Sequence, residues 1–479
     1  MREASSERGA VKTVLVGLLA LVLLVAGIGA FGFWYFLKRD VPVRYADPSE
    51  RFKYQSIGSE VAAMPFLIWK ALPAVCPDML PASGYAGFGF TYEPGHDRPV
   101  GVTLRTVGIP RAGINCATCH TGTIRQTAAS PRVVMLGTPS HQLDLQRYAR
   151  FLVGCTTGPS YTVDRVMAAI EAVAPLPRLD AAVYRYLIVP GTRREMAKMR
   201  ERLGWMDQRP DFGPGRFDAF NPVKADFKFD MAHDTTIGTV DYPSVWNQQA
   251  REHLALHWDG SNRSAAERNI AASISAGATP DTVDHEEIDW TTEFLRTLPP
   301  PRYPFPIDQA LAEKGAPVFE LYCARCHDPA GSQVGKTTPV ESVGTDRLRF
   351  DVFTQAFADR LNTIGTGYTW KFKGYQKSSG YANVLLDGVW ARAPYLHNGS
   401  VRNMRELFEP AEKRTPVFYR GYDVYDPENM GFVSLGPEAE RAGFRYDTSL
   451  RGNGNGGHLY GVNLSADEKQ ALLEFLKGR

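Results

Sequence analysis

An excess of charge of one sign is missing from this 479-residue chain: 54 Lys and Arg face 52 Asp and Glu, for a net charge of +2, and no block of like charge is long enough to grip a polyanion. Nucleic-acid binding is therefore not a leading expectation. Cysteine is scarce too, at six residues, so any role for it rests on position rather than on number. Well-formed β alternation is rare, which argues against a sheet protein. Hydrophobic residues at 44% and charged residues at 22% match an ordinary globular protein and exclude a disordered polymer. At roughly 100–200 residues per domain, the length fits two or three domains.

What the chain does have begins at its N-terminus. No side chain from Val14 to Leu37 is charged, and at about 1.5 Å per residue that run reaches roughly 36 Å as a helix, enough to span a bilayer. Trp34 and Tyr35 sit where an interfacial aromatic belt would lie, flanked by Lys12, Lys38 and Arg39. Basic residues leave the orientation open, because Arg2, Arg8 and Lys12 are balanced by Lys38, Arg39 and Arg44. A cleaved signal peptide, with Ile28-Gly29-Ala30 as its small-residue site, is the alternative, but the apolar run exceeds the usual stretch of about 7–15 residues. Either reading exports the remainder.

Residues 1–40 are thus read as tail and transmembrane anchor. The stretch up to about Arg111 is rich in Gly and Pro without a sustained period and is expected to be an irregular, loop-dominated wrapping segment. Apolar spacing near three and four residues predicts helices over Leu143–Val153, Thr162–Val173, Arg178–Leu187 and Arg193–Leu203. Pro299, Pro300, Pro301, Pro304 and Pro306 then place a linker at 299–306, between domains at 41–298 and 307–479.

Four of the six cysteines form two C-x-x-C-H motifs: Cys116, Cys119 and His120, then Cys323, Cys326 and His327. Two thiols one helical turn apart can each form a thioether with a haem vinyl group while the adjacent His supplies the proximal iron ligand. A zinc site would want a second ligand pair at finger-like spacing, and a redox dithiol would want a βαβ context. Two covalent haem c groups are the expectation, with His120 and His327 on iron. Such attachment resembles that of the c-type cytochromes, which are assembled outside the cytoplasm, and the resemblance implies haem domains on the periplasmic side.

Glu293-Phe294-Leu295-Arg296 repeats as Glu474-Phe475-Leu476-Lys477, each on an acidic-start amphipathic helix, His285–Leu298 and Ser465–Lys477, the second with a Ser465/Glu468 capping box. The fold class expected is mainly α: two tandem cytochrome-c-like haem modules with loop-rich insertions, plus the transmembrane helix. In a cytochrome-c fold the second axial ligand comes from the loop before the terminal helix. In the second module that loop is glycine-rich and ends in His458, which makes a bis-His iron with His327; Met430 and Met404 compete for the role. The corresponding loop of the first module, Ser273 to Asp284, holds no His, Met, Lys or Cys, so the iron of His120 is expected to be open unless His257, His253, His141 or Met231 reaches it.

These motifs, with Ala393-Pro394-Tyr395-Leu396-His397-Asn398-Gly399-Ser400-Val401 after the second haem, resemble the bacterial dihaem cytochrome c peroxidase and MauG superfamily. The ending from Gly457-His458 to Leu473-Glu474 looks most like its dihaem rubber-oxygenase branch. The resemblance runs from about Gly101 to the end. It implies one electron-transferring and one reactive haem, and in that branch the N-terminal haem is the open one and the C-terminal haem bis-His. It thereby supports His120, His327 and His458 as ligands. An anchored chain departs from secreted rubber oxygenases, so a bulky external polymer is an unpromising substrate. Classical dihaem peroxidases use a Met on the high-potential haem and a distal acid at the reactive one; here no Met is favoured on the second iron, and Trp246, Trp258, Glu252 and Asp259 are only weak candidates for catalytic groups. His397 is expected to order a turn. Cys76 and Cys155 are left to pair or not. The expected function is a peroxidase- or oxygenase-like oxidoreductase with a redox partner protein and peroxide or dioxygen as oxidant; the alternative is a pure electron carrier.

Overall fold

The computed structural model describes residues 3–479. Helix accounts for 45% of residues and strand for 12%, in line with a mainly α chain. The first helix, Glu3–Phe33, runs into a π-turn at Trp34–Lys38. Its segment Leu15–Phe36 is long and apolar enough to cross a membrane, and none of it is buried.

The segment before Arg111 is not loop-dominated. It holds a four-stranded antiparallel sheet of β1 (Asp40–Pro42), β2 (Met64–Pro65), β3 (Val102–Val107) and β4 (Ile109–Ile114), in the order β1-β3-β4-β2. Its register pairs Asp40 with Val107 and Leu104 with Ala112. Helices Pro48–Tyr54 and Phe66–Val75 fill the connections. The strands escape a pattern search because Pro42, Pro65 and Pro110 interrupt them and arginines share their faces. Pro42 and Pro65 are tolerated because β1 and β2 are the edge strands, and Pro110 stands second in β4, next to the β3–β4 turn.

Helices Leu145–Thr157 and Val163–Val173 lie close to the expected spans, with Asp144 and Thr162 as side-chain caps. The two helices expected at 178–187 and 193–203 are one continuous rod: Arg178–Val183, a π-turn at Tyr184–Ile188, then Val189–Leu203. Pro190, which has no N–H to donate, stands directly after the π-turn, where the helical ladder changes register. Around Trp69, Tyr85, Phe88 and Phe151 these elements form a core that includes the Cys76–Cys155 disulfide, so the two cysteines pair.

In the C-terminal half, helix Gln309–Tyr322 crosses the terminal helix Ala466–Lys477, which begins at the Ser465/Glu468 capping box. The crossing is tight: a Cβ on Gly315 would lie 2.1 Å from the Ala471 carbonyl oxygen. Leu472 and Leu476 are fully buried behind it, each worth about 1.5–3 kcal/mol relative to exposure. This second core also takes Ile124, Met135 and Trp246 from the N-terminal half. Residues 299–306 form no helix or strand, and the Pro301 carbonyl accepts the Trp390 indole N–H at 2.9 Å.

Candidate haem sites

Asn115 locks the first motif in place. Its side-chain oxygen caps the short helix Cys116–Cys119 through Ala117 N–H, and its amide donates to the Phe52 and Gln55 carbonyls, at 3.0 Å in each case. His120 Nδ1 donates to the Pro243 carbonyl at 2.9 Å. In the second motif His327 Nδ1 donates to the Val384 carbonyl at 2.7 Å. Each bond fixes the tautomer, leaving the Nε2 lone pair for a metal. Burial, with Arg268 nearby, pushes His120 down to about 4, and burial lowers His327, so both rings are neutral donors at pH 7. Burial pushes the thiols of Cys116, Cys119 and Cys323 up, to about 11, 12 and 11. A redox dithiol works by the opposite shift.

The glycine-rich loop ending at His458 closes over the second motif. Gly457 has φ +75°, and a Cβ there would lie 2.2 Å from the carbonyl carbon of Gly344, so only glycine permits the approach. Arg414 donates to the carbonyls of Asn455 and Gly457 at 2.5 and 2.9 Å, and His458 N–H donates to Val343 at 2.7 Å. His458 itself is held at φ +51°. Its ring centre stands 6.2 Å from that of His327. Two imidazoles that each put a nitrogen about 2 Å from one metal keep their centres roughly 6 Å apart, so this pair has the spacing of a shared axial site. Met430 and Met404 are buried in the second core.

His120 has no ring so placed opposite it among the described residues. Of the four possible ligands, His253 is exposed, His141 is stacked on Phe432 with ring centres 3.6 Å apart, and Met231 packs with Trp205, Met206 and Phe212. His257 differs: it sits at φ +60°, and its Nε2 is buried without a partner. Beside it lies Arg268, whose charge bears on Cys116, His120 and His257 alike. Burial and the neighbouring Arg251 push this guanidinium down to about 10, and its Nη2 is buried without a partner. A cation whose Nη2 is buried, with no carboxylate partner among the described residues, fits the propionate of a haem. Arg268 went unread because a lone Arg on the amphipathic helix Ala265–Ser275 carries no local signal.

Trp246 is fully buried between the halves. It follows Pro243 by three residues, and its indole N–H donates to the Asp387 carbonyl at 3.2 Å, three residues after Val384. It thus joins the two backbone segments that hold the proximal imidazoles. Gly388, at φ +64°, makes room for its ring. The Trp258 indole donates to the Asp241 carbonyl at 2.9 Å. Glu252 is taken up in a surface ion pair with Arg296, and Asp259 is buried against Arg349 at 3.5 Å. His397 is buried on Tyr381, and its carbonyl accepts Asp241 N–H at 2.9 Å.

Residues 380–419 match the protein-family model described as RoxA-like, cytochrome c-like. The matched segment contains Val384, Asp387 and Arg414, which frame the second motif and its loop. The match relates the chain to RoxA-like c-type cytochromes and implies haem c as cofactor; it carries nothing for the MauG and peroxidase parts of the resemblance. Two relatives come from Sinorhizobium fredii (strain NBRC 101917 / NGR234). Uncharacterized protein y4iM is 34% identical over 268 residues, 49% of this chain and 60% of its own length. Uncharacterized protein y4iJ is 24% identical over 487 residues, 81% of this chain and 79% of its own length.

Proposed function

We propose that this chain is a membrane-anchored dihaem c-type cytochrome acting as an oxidoreductase outside the cytoplasm, with electrons passing from a bis-His haem to an open haem that takes peroxide or dioxygen. The observation that carries it is the inequality of the two motifs: His458 stands at axial spacing from His327, and among the described residues no ring is so placed from His120. Haem c supplies electron transfer at a six-coordinate iron and ligand binding at an open one. The protein supplies the rest. Cys116 and Cys119, and Cys323 and Cys326, hold the two groups, and the Pro243 and Val384 carbonyls orient the proximal rings. Trp246 bridges those two segments and is the natural conduit between them. Arg268 offers a positive charge at the first site, where the unpaired Nε2 of His257 can accept a hydrogen bond. The Cys76–Cys155 disulfide suits an oxidising compartment, which supports the periplasmic side.

The same unpaired His257 nitrogen favours the second reading, a pure electron carrier, if it closes the first iron instead of serving it. Carbon monoxide titration of the reduced full chain separates the two. One equivalent bound per chain, with a high-spin fraction in the ferric protein, is the expected outcome. Two low-spin haems indifferent to carbon monoxide refute the open site and leave the carrier.

A further inference from the structure

The anchor enters the fold without a linker. Arg39 N–H donates to the Trp34 carbonyl at 2.8 Å, the Arg39 carbonyl accepts Gly108 N–H at 2.7 Å from the β3–β4 turn, and Asp40 opens β1. Phe36 is partly buried against the edge of the first core. The surface next to this junction is therefore held against whatever the anchor crosses.

That surface includes one end of the rod that starts at Arg178. Arg111, in β4, donates to the carbonyls of Val107 and Ala63 and lies close to the buried Tyr184. Tyr184 begins the π-turn Tyr184–Ile188. One side of the rod here faces the core through Tyr184 and Val189. The other side presents Leu179, Tyr186 and Leu187, which are 67%, 73% and 62% exposed. Their spacing, i, i+7 and i+8, puts them on one helical face. Val41, in the β1 strand that directly follows the anchor, is also exposed. Between Arg178 and Arg202 the sequence has seven basic residues against three acidic ones. An apolar side chain exposed singly needs no explanation, but three together on one face of a basic helix call for a reason. An interfacial helix has one, because aromatic and aliphatic groups enter the headgroup boundary while arginines meet anionic lipid.

We infer that the outward face of the Arg178–Ile188 segment rests on the same bilayer that holds the anchor, its Leu179, Tyr186 and Leu187 side chains buried among the headgroups of anionic phospholipid. The inference rests on the uncleaved anchor, and continuity with that anchor identifies the partner as lipid rather than another protein.

The experiment uses the full haem-loaded chain in nanodiscs containing phosphatidylglycerol. Tyr186→Cys receives a polarity-sensitive fluorophore, and Leu435→Cys, exposed in the C-terminal half, is the control. Haem attachment and the disulfide occupy the native cysteines, so each introduced thiol is the single free one. Blue-shifted emission at position 186 that interfacially brominated lipids quench, with position 435 unaffected, is expected. Replacing Arg178 and Arg185 with Glu should reverse the shift at 186. Emission at 186 as red and as unquenched as at 435, or equal quenching at both, overturns the inference. Failure of the anchor reads differently: the chain is recovered free of membrane with a new N-terminus beyond residue 30. Flotation of that released protein with phosphatidylglycerol vesicles then decides: co-flotation lost in the Leu179→Asp/Leu187→Asp variant sustains the lipid-binding face, and no flotation discards it.

Discussion

Replacing His458 with glycine tests the second site without disturbing the frame around it. His458 sits at φ +51°, where a non-glycine residue stores roughly 1–2 kcal/mol. Glycine releases that strain but gives the unfolded chain about 0.5–1 kcal/mol of extra freedom. The backbone terms nearly cancel. The loop should also stay in place, because its restraints do not use the imidazole: Arg414 still donates to the carbonyls at 455 and 457, and the 458 N–H still reaches Val343. What changes is the loss of one imidazole across from His327. In the reduced full chain, carbon monoxide binding should rise from one equivalent to two, with a second Soret component shifting on titration. Added imidazole fits the space the side chain leaves and should restore a low-spin spectrum while blocking the second equivalent. Unchanged carbon monoxide stoichiometry in His458→Gly, with the protein folded, refutes His458 as an axial ligand.

Three further outcomes are expected. Replacing Cys76 and Cys155 with Ala opens a crosslink spanning 79 residues, which the chain-entropy relation values at about 4–5 kcal/mol; the N-terminal core should melt earlier in calorimetry, and an unchanged Tm contradicts that estimate. Gly315→Ala pushes a methyl group onto the Ala471 carbonyl and should cost about 1–3 kcal/mol, read as a lower denaturation midpoint. His141 and His397 are buried and pushed down, to about 4 and about 3, with burial as the first cause. Because their folded values lie below the unfolded one near 6.5, the unfolded state binds more protons, so stability is full above pH about 6.5 and falls toward about 4, by up to about 1.4 kcal/mol per pH unit and group. Thermal melts across that range should show the fall, and His397→Phe should shallow it.

The parts legible in the sequence are those whose signal is local. C-x-x-C-H is a spacing, a capping box is a spacing, and a glycine run before a His says that backbone comes close to something. The close approach of the Gly457-His458 loop to Gly344 is legible for that reason. The sheet of the first 114 residues was not, because its strands are short, proline-interrupted and paired across gaps such as Asp40 with Val107; long-range pairing leaves no periodic trace. Arg268 was invisible on the same ground. An arginine on a helix face is read as solvated, and only the surrounding fold buries its Nη2. Trp246 was noticed for its composition alone. That it joins the Pro243 and Asp387 segments depends on two regions 141 residues apart meeting.

The second hydrophobic core draws Ile124, Met135 and Trp246 from one half and Trp390, Tyr395 and Leu472 from the other. A chain halted at the proline stretch would emerge with a raw apolar scar where those side chains interleave, and the complementary fragment would carry its mirror wound. This shared core therefore closes only once both halves are present, whereas the first core lies wholly in the N-terminal half and can gather before the rest of the chain is made.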